Sequence, residues 1–153
     1  FDGVDDYAVS ANDPGISNSS FSIVVDVRRN STGAQEAILS SGTTGLNTSL
    51  FFGFDASDNI VIDFGGNKLY TSHHSATSGE WTSYVITYDS TSGTRSVFAD
   101  GELILQDIIS SDFAGTGPLT LGRSVDGTDY FNGAIDNLGI GNAELQPTDI
   151  QLL

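Results

Sequence analysis

Apolar and polar residues alternate along most of this chain, which is the period of a β-strand with one buried face. In FSIVVDVRR, residues 21–29, apolar side chains fall on alternate positions, namely Phe21, Ile23, Val25 and Val27. No long stretch of the chain shows the apolar period of an amphipathic helix. The same pattern predicts further strands at residues 6–10, 36–41, 49–55, 59–64, 68–73, 81–89, 94–99, 102–107, 118–123 and 133–141, and only residues 147–152 favour a helical turn.

Two adjoining hairpins are predicted in residues 81–107. The run that ends at Asp89 is followed by a Ser/Thr/Gly turn, and the next run closes on Asp100-Gly101. Asp-Gly between apolar runs is a strong hairpin signal, because glycine adopts a positive φ without steric cost and aspartate tolerates it. About eleven such short strands predict an all-β fold, either two packed sheets or a closed barrel. Trp81, at a strand start, is expected to be a buried core anchor.

The length and the charge limit the function classes. With 153 residues the chain is long enough for one core, and we predict that residues 1–153 form a single domain. Because it begins at Phe1 without an initiator Met, we expect it to be a mature fragment or a domain of a longer protein. The net charge of −15 argues against nucleic acid, whose phosphates need Lys and Arg, and the chain lacks an apolar run for membrane insertion.

The acidic composition leaves two interpretations open. Twenty Asp and Glu residues can simply keep the chain soluble, or some of them can be ligands of a cation. The absence of cysteine excludes disulfides, thiolate zinc sites and cysteine nucleophiles.

Several segments resemble, in order, the laminin-G-like and pentraxin-like domains of the concanavalin A-like lectin and glucanase superfamily. The resemblance covers nearly the whole chain and implies a two-sheet antiparallel jelly-roll sandwich. The segments that carry it are FDGVDDY at 1–7, FSI at 21–23, ILS at 38–40, WTSYVITYD at 81–89 with VFADG at 97–101, LTLG at 119–122, FNGAIDN at 131–137 and NAEL at 142–145.

The chain is predicted not to be an enzyme. Glycoside hydrolysis needs two carboxylates placed across a sugar, and the β-glucanases of this superfamily carry them in one strand as E-x-D-x-E. The four glutamates form no such run; they are Glu36, Glu80, Glu102 and Glu144. A serine nucleophile elbow of the G-x-S-x-G type is also absent from the sequence.

Calcium is the cofactor that the resemblance implies, at two candidate sites. In the β-glucanases a structural calcium joins the N-terminal segment to an aspartate of the last long strand; Asp136 matches that aspartate, and Asp2 is the N-terminal candidate. In pentraxins a second site, on the concave face, holds calcium and through it the ligand. Asn47 and Asp126 match ligand positions of that site, and Asp129 is a candidate substitute for a missing ligand.

The leading hypothesis is a carbohydrate- or glycan-binding module of an extracellular or cell-surface protein. Aromatic side chains on a broad sheet can stack on sugar rings, although most aromatics in a sandwich belong to the core. The candidate platforms are Tyr70, Tyr84, Tyr88, Tyr130 and Phe131. The alternative is a structural or protein–protein adhesion domain. An aromatic-lined groove would favour a sugar, such as a cell-surface polysaccharide, and a flat apolar patch would favour a protein partner.

Overall fold

The computed structural model describes residues 1–71 and 79–151 of the chain. The elements in this part are β1 (Ala8–Val9), β2 (Phe21–Arg29), β3 (Glu36–Gly42), β4 (Ser49–Phe54), β5 (Ile60–Asp63), β6 (Lys68–Tyr70), β7 (Trp81–Asp89), β8 (Thr94–Ala99), β9 (Glu102–Ile108), β10 (Leu119–Leu121), β11 (Gly133–Gly141) and the helix α1 (Pro147–Ile150). None of the helices in this part is long and apolar enough to cross a membrane.

The strands form two antiparallel sheets. One sheet has six strands in the order β1-β10-β3-β4-β5-β6, and the other has five in the order β11-β2-β7-β8-β9. The predicted two-sheet jelly-roll sandwich is therefore confirmed over the closed barrel. Both predicted hairpins are also present, and at the second turn Asp100 and Gly101 have φ of 49° and 80°. The predicted strand 68–73 ends at Tyr70 in the described residues, and its last two positions lie outside them.

The hydrophobic core lies between the two sheets and follows the period-two pattern. Strand β2 buries Phe21, Ile23 and Val25 completely, and its pairing sets Val25 opposite Tyr84 of β7. One end of the core is aromatic, with ring centroids 5.3–6.5 Å apart among Phe21, Phe64, Tyr88 and Phe113. Each such buried side chain contributes roughly 1.5–3 kcal/mol to folding.

The expectation that Trp81 is a core anchor is wrong. Its side chain is 47% exposed, and the guanidinium of Arg28 lies 5.3 Å from the centre of its ring. Side chains alternate between the two faces of a strand. In β7 the core-facing positions are taken by Tyr84, Ile86 and Tyr88, so Trp81 lies on the face turned away from the core.

Two buried arginines connect the two sheets. The Nε atom of Arg29, at the end of β2, lies 2.5 Å from Oε2 of Glu36 in β3, and its Nη1 atom lies 2.6 Å from Asp58. Arg95 of β8 binds Asp107 on its own sheet and donates to the carbonyl of Asn67, beside the six-stranded sheet. Because these cations carry hydrogen-bond partners from both layers, they fix the position of one sheet on the other.

The outer face of the six-stranded sheet carries a row of side chains that do not enter the core. Pairing between neighbouring strands places these residues side by side, in the order Thr120, Ser40, Phe51, Asp63 and Lys68. Phe51 faces outward because its neighbours Leu50 and Phe52 are fully buried on the core side of β4. This row is the floor on which the candidate site is built.

Candidate functional site

A groove with a volume of about 500 Å³ lies over the outer face of the six-stranded sheet. One side is formed by the turns after β3 and β5, and the other side by the segment between β10 and β11. The residues that line it are Gln35, Thr44, Gly45, Leu46, Ser49, Leu50, Phe51, Asp63, Gly65, Gly66, Lys68, Ser124, Val125, Asp126 and Asp129. Its size is typical of pockets that hold small ligands.

Aromatic and apolar side chains are available to a ligand in and beside the groove. Phe51 is half-buried on the floor, and Leu46 at one side is 72% exposed. Tyr70 is 59% exposed and follows the groove residue Lys68 by two positions, so both lie on the same face of β6. The floor of the groove therefore continues into an exposed tyrosine at the sheet edge.

One wall of the groove is held by aspartate-centred hydrogen bonds. The carboxylate of Asp126 accepts hydrogen bonds from the hydroxyls of Ser124, at 2.5 Å, and Thr128, at 2.7 Å. The Ser124 and Thr128 hydroxyls hold the pKa of Asp126 below its ordinary value. Asp129 accepts from the side-chain amide of Gln35 at 2.9 Å, and its carbonyl accepts from the backbone N–H of Ala37 at 2.8 Å. This wall is thus anchored to β3.

The opposite wall consists of two turns packed closely together. The backbone N–H of Asn47 donates to the carbonyl of Gly65 at 3.0 Å, and the side-chain oxygen of Asn47 accepts from Asn67 at 2.5 Å. Gly65 has a φ of 68°, and a Cβ on it would lie 2.0 Å from the carbonyl oxygen of Gly45. Only glycine fits such a close contact. The shape of this wall is therefore set by close contacts between the backbones of the two turns.

The predicted aromatic platforms have different positions. Tyr70 lies beside the groove, and Tyr130 is half-buried at the end of the segment that carries Asp126 and Asp129. Tyr84 and Tyr88 are buried to 0% and 1% exposure, which rules them out as stacking platforms, and burial raises the pKa of both phenols. Phe131 is also fully buried.

Tyr84 and Tyr88 are buried for the same reason that Trp81 is exposed, namely that successive side chains of β7 point to opposite faces of the sheet. The even positions of β7 face the core, so Tyr84 stacks edge-on against Phe52, and the hydroxyl of Tyr88 donates to Asp112. Sequence reasoning missed Phe51, Leu46 and Lys68. Phe51 was detectable, because in SLFFGF the alternation that buries Leu50 and Phe52 must turn the residue between them outward.

The structure does not bring Asp2 and Asp136 together. Asp2 forms a bridge with Asn132, and Asp136 lies four residues further along, roughly 13 Å away in an extended strand. Asp136 is exposed and lies opposite Asp26 of β2. It is therefore too far from Asp2 to share an ion with it.

Asp2 instead lies close to two other aspartates. Carboxylate oxygens of Asp2, Asp5 and Asp6 lie within 4.8 Å of one another, all at the surface. Oxygens bound to one Ca²⁺ at about 2.4 Å lie within a similar distance of each other, so this group fits a calcium ion.

The residues of the second candidate calcium site lie on opposite walls of the groove. Asp126 and Asp129 line one wall, whereas Asn47 belongs to a turn in the opposite wall. A side-chain oxygen of each already accepts a hydrogen bond from another residue. Neighbouring protein groups thus donate to these oxygens, and a cation would have to displace or share those hydrogen bonds.

The sheet order and the groove on one outer face define a jelly-roll sandwich of the concanavalin A-like type. A laminin G family model, described as the concanavalin A-like lectin/glucanases superfamily, matches residues 2–151, and the chain belongs to this family. The resemblance found in the sequence is thus confirmed. No curated protein sequence is significantly similar to the chain.

Solved structures share the fold at low sequence identity. The CBM40 of Ruminococcus gnavus IT-sialidase, bound to α2,3 sialyllactose, has a TM-score of 0.73 at 17% identity, covering 89% of this chain and 83% of its own. Domain 4 of AbnA, a GH43 extracellular arabinanase of Geobacillus stearothermophilus in complex with arabinotriose, has a TM-score of 0.73 at 18% identity. The match covers 92% of this chain and 68% of that domain's chain. The NanB sialidase of Streptococcus pneumoniae has a TM-score of 0.74 at 14% identity. The match covers 90% of this chain but only 24% of the sialidase chain.

Proposed function

We propose that the chain is a non-catalytic carbohydrate-binding module and that the groove over Phe51 binds the sugar. The observation that carries the proposal is an outward-facing aromatic floor between two walls that carry both apolar and polar side chains. A sugar ring has apolar C–H faces that pack on aromatic rings and hydroxyls that exchange hydrogen bonds with polar groups. The groove offers such groups on Gln35, Ser49, Asp63 and Asp129.

The comparisons support the same class of ligand. Two of the similar structures hold a sugar, arabinotriose in one and sialyllactose in the other. A concave groove that carries polar side chains also favours a sugar over a protein partner, for which a flat apolar patch would be expected. Because glycans of this kind are exposed outside cells, we propose that the module belongs to an extracellular or cell-surface protein.

The proposed absence of catalysis agrees with the surroundings of Asp126, one of the acidic residues in the groove. A glycosidase needs a carboxylic acid that stays protonated until it donates to the leaving group, which requires a raised pKa. The pKa of Asp126 is instead lowered by the hydroxyls of Ser124 and Thr128. Asp126 is therefore suited to accept hydrogen bonds from sugar hydroxyls and not to donate a proton.

Replacing Phe51 with alanine is expected to weaken glycan binding at least about tenfold, which corresponds to about 1.4 kcal/mol. The variant removes the aromatic ring from the floor and leaves both walls in place. Glycans identified on an array are titrated calorimetrically into the native protein and into Phe51→Ala, with the melting temperature of each protein measured in parallel.

Trp81→Ala is the matched control for this experiment. Trp81 is also an exposed aromatic residue, but it lies on the other sheet. We expect it to leave the affinity unchanged. The proposal is wrong if the array yields no glycan, or if Trp81→Ala abolishes binding and Phe51→Ala does not.

We also propose that calcium binds at Asp2, Asp5 and Asp6 and stabilises the fold. The bridge from Asp2 to Asn132, and the 3.0 Å hydrogen bond from the Gly133 N–H to the Phe1 carbonyl, join this segment to the start of β11. A cation bound only by the folded chain, at about 100 times its dissociation constant, adds about 2.7 kcal/mol, or several degrees in melting temperature.

The calcium proposal is tested by thermal melting with excess calcium and with a chelator. We expect the calcium-dependent rise in melting temperature to disappear in Asp5→Asn and to persist in Asp136→Asn. Asp5 belongs to the three-carboxylate group, whereas Asp136 does not. The absence of a calcium effect on the native protein would exclude this site, and so would an equal rise in both variants.

A further inference from the structure

We infer that the groove selects uncharged glycans and discriminates against acidic ones, an inference that rests on the proposed function of the groove. Three carboxylates line it, on Asp63, Asp126 and Asp129, and the ammonium group of Lys68 is the one cation among its lining residues in the described part of the chain. A carboxylated or sulfated sugar in this space would face more negative than positive groups at short distance.

The arginines of the chain are committed elsewhere. Recognition of a carboxylate or sulfate typically uses the two-pronged hydrogen bonds of a guanidinium. Arg29 and Arg95 are buried in ion pairs with Glu36, Asp58 and Asp107. Neither guanidinium is therefore available at the groove surface.

The remaining two arginines stack on aromatic rings, and neither is among the residues that line the groove. The guanidinium of Arg28 lies over Trp81 on the other sheet. That of Arg123 lies 3.7 Å from the centre of the Tyr7 ring. Since the chain has only five Lys and Arg, these four positions and Lys68 account for all of them. No guanidinium is therefore among the lining groups that an acidic sugar would meet in the groove.

The same carboxylates favour a hydroxyl-rich neutral sugar. A carboxylate has acceptor positions for several hydrogen bonds, and those it accepts from hydroxyls are stronger than bonds between neutral groups. In Asp129 the groove presents a carboxylate that already accepts from Gln35 and retains further lone pairs. Selectivity therefore arises because one set of groups attracts hydroxyls and repels anions.

The test compares neutral glycans with acidic counterparts of the same backbone: lactose with α2,3-sialyllactose, and highly methyl-esterified polygalacturonate with polygalacturonate. Arabinan is a further neutral polymer. Binding to each is measured at low and at high salt, with the native protein, Phe51→Ala and Asp129→Asn. We expect neutral members to bind at least about tenfold more tightly than their acidic partners at low salt. The difference should shrink at high salt, which screens charges, and in Asp129→Asn.

The outcomes separate this inference from the proposed function. Tighter or equal binding of an acidic member, lost in Phe51→Ala, would overturn the selectivity and retain the groove as the site. Binding that is unaffected by Phe51→Ala would overturn the site, and with it the selectivity assigned to it. If no glycan in the whole panel binds, both fail. A neutral preference that disappears in Phe51→Ala supports both.

Discussion

Replacing Arg29 with methionine is expected to lower the free energy of unfolding by about 3–5 kcal/mol, which is the usual cost of breaking a buried ion pair. Arg29 is 1% exposed and Glu36 is 2% exposed, so the substitution leaves a carboxylate inside the protein without its counter-charge. It also removes hydrogen bonds to Asp58 and to the carbonyl of Ala34, together with a guanidinium 4.1 Å from the centre of the Phe54 ring.

The neighbouring Arg28→Met is the control for this prediction. Arg28 is partly exposed and stacks on Trp81, so its loss should cost no more than about 1 kcal/mol. Both variants are compared by urea denaturation followed by circular dichroism. A double variant, Arg29→Met with Glu36→Leu, should recover part of the loss, because the isolated charge is then absent. A loss for Arg29→Met no larger than that for Arg28→Met would contradict the prediction.

The second large effect is expected for Gly53→Ala, which should destabilise the fold by about 3 kcal/mol. A Cβ on Gly53 would lie 2.0 Å from the carbonyl oxygen of Glu36 and 3.0 Å from the Cα of Ala37. Both atoms belong to the backbone of β3, at the irregularity in its pairing with β4. A flexible side chain could move aside, but a paired strand cannot do so without losing its hydrogen bonds.

Gly139→Ala provides the matched control for Gly53→Ala. Gly139 also lies in a strand, β11, but the position that a Cβ would take there has no atom of a non-adjacent residue within 4 Å, and the site is exposed. Alanine restricts the unfolded chain more than glycine does, so we expect a change within about 1 kcal/mol in either direction. Thermal melting of both variants decides the point; equal losses would show that the clash at Gly53 relaxes without cost.

The sequence pattern was sufficient for the secondary structure of the chain. Strands β2, β7, β8 and β11 begin and end at the predicted residues, because their alternation and their Gly, Asp and Asn turns are local signals. The ordered resemblance supplied the two-sheet architecture. Short strands were located less well: 6–10 became Ala8–Val9, and 118–123 became Leu119–Leu121, where few residues carry the pattern.

The candidate site was predictable only in part. Tyr70, Asp126 and Asp129 were identified from the sequence and lie in or beside one groove. Phe51 and Lys68 were not identified: the alternation in β4 predicts that Phe51 faces outward, but only the pairing of β4, β5 and β6 places the two residues in one row. The turns that form the two walls are about 60 to 80 residues apart in the chain, and no local signal connects them.

By itself, the sequence determined which residues form strands, where the chain turns, and the composition that argues against a nucleic-acid partner. The tertiary structure decided which face of each strand became the core. Alternation divides the residues of β7 into two sets, but only packing against β4 and β2 selected Tyr84 and Tyr88 for the interior and left Trp81 outside. Tertiary packing also directed the arginines into ion pairs and stacks, leaving Lys68 as the cation among the described groove-lining residues. These outcomes depend on contacts between distant segments, and a period of two carries no information about which face those segments will cover.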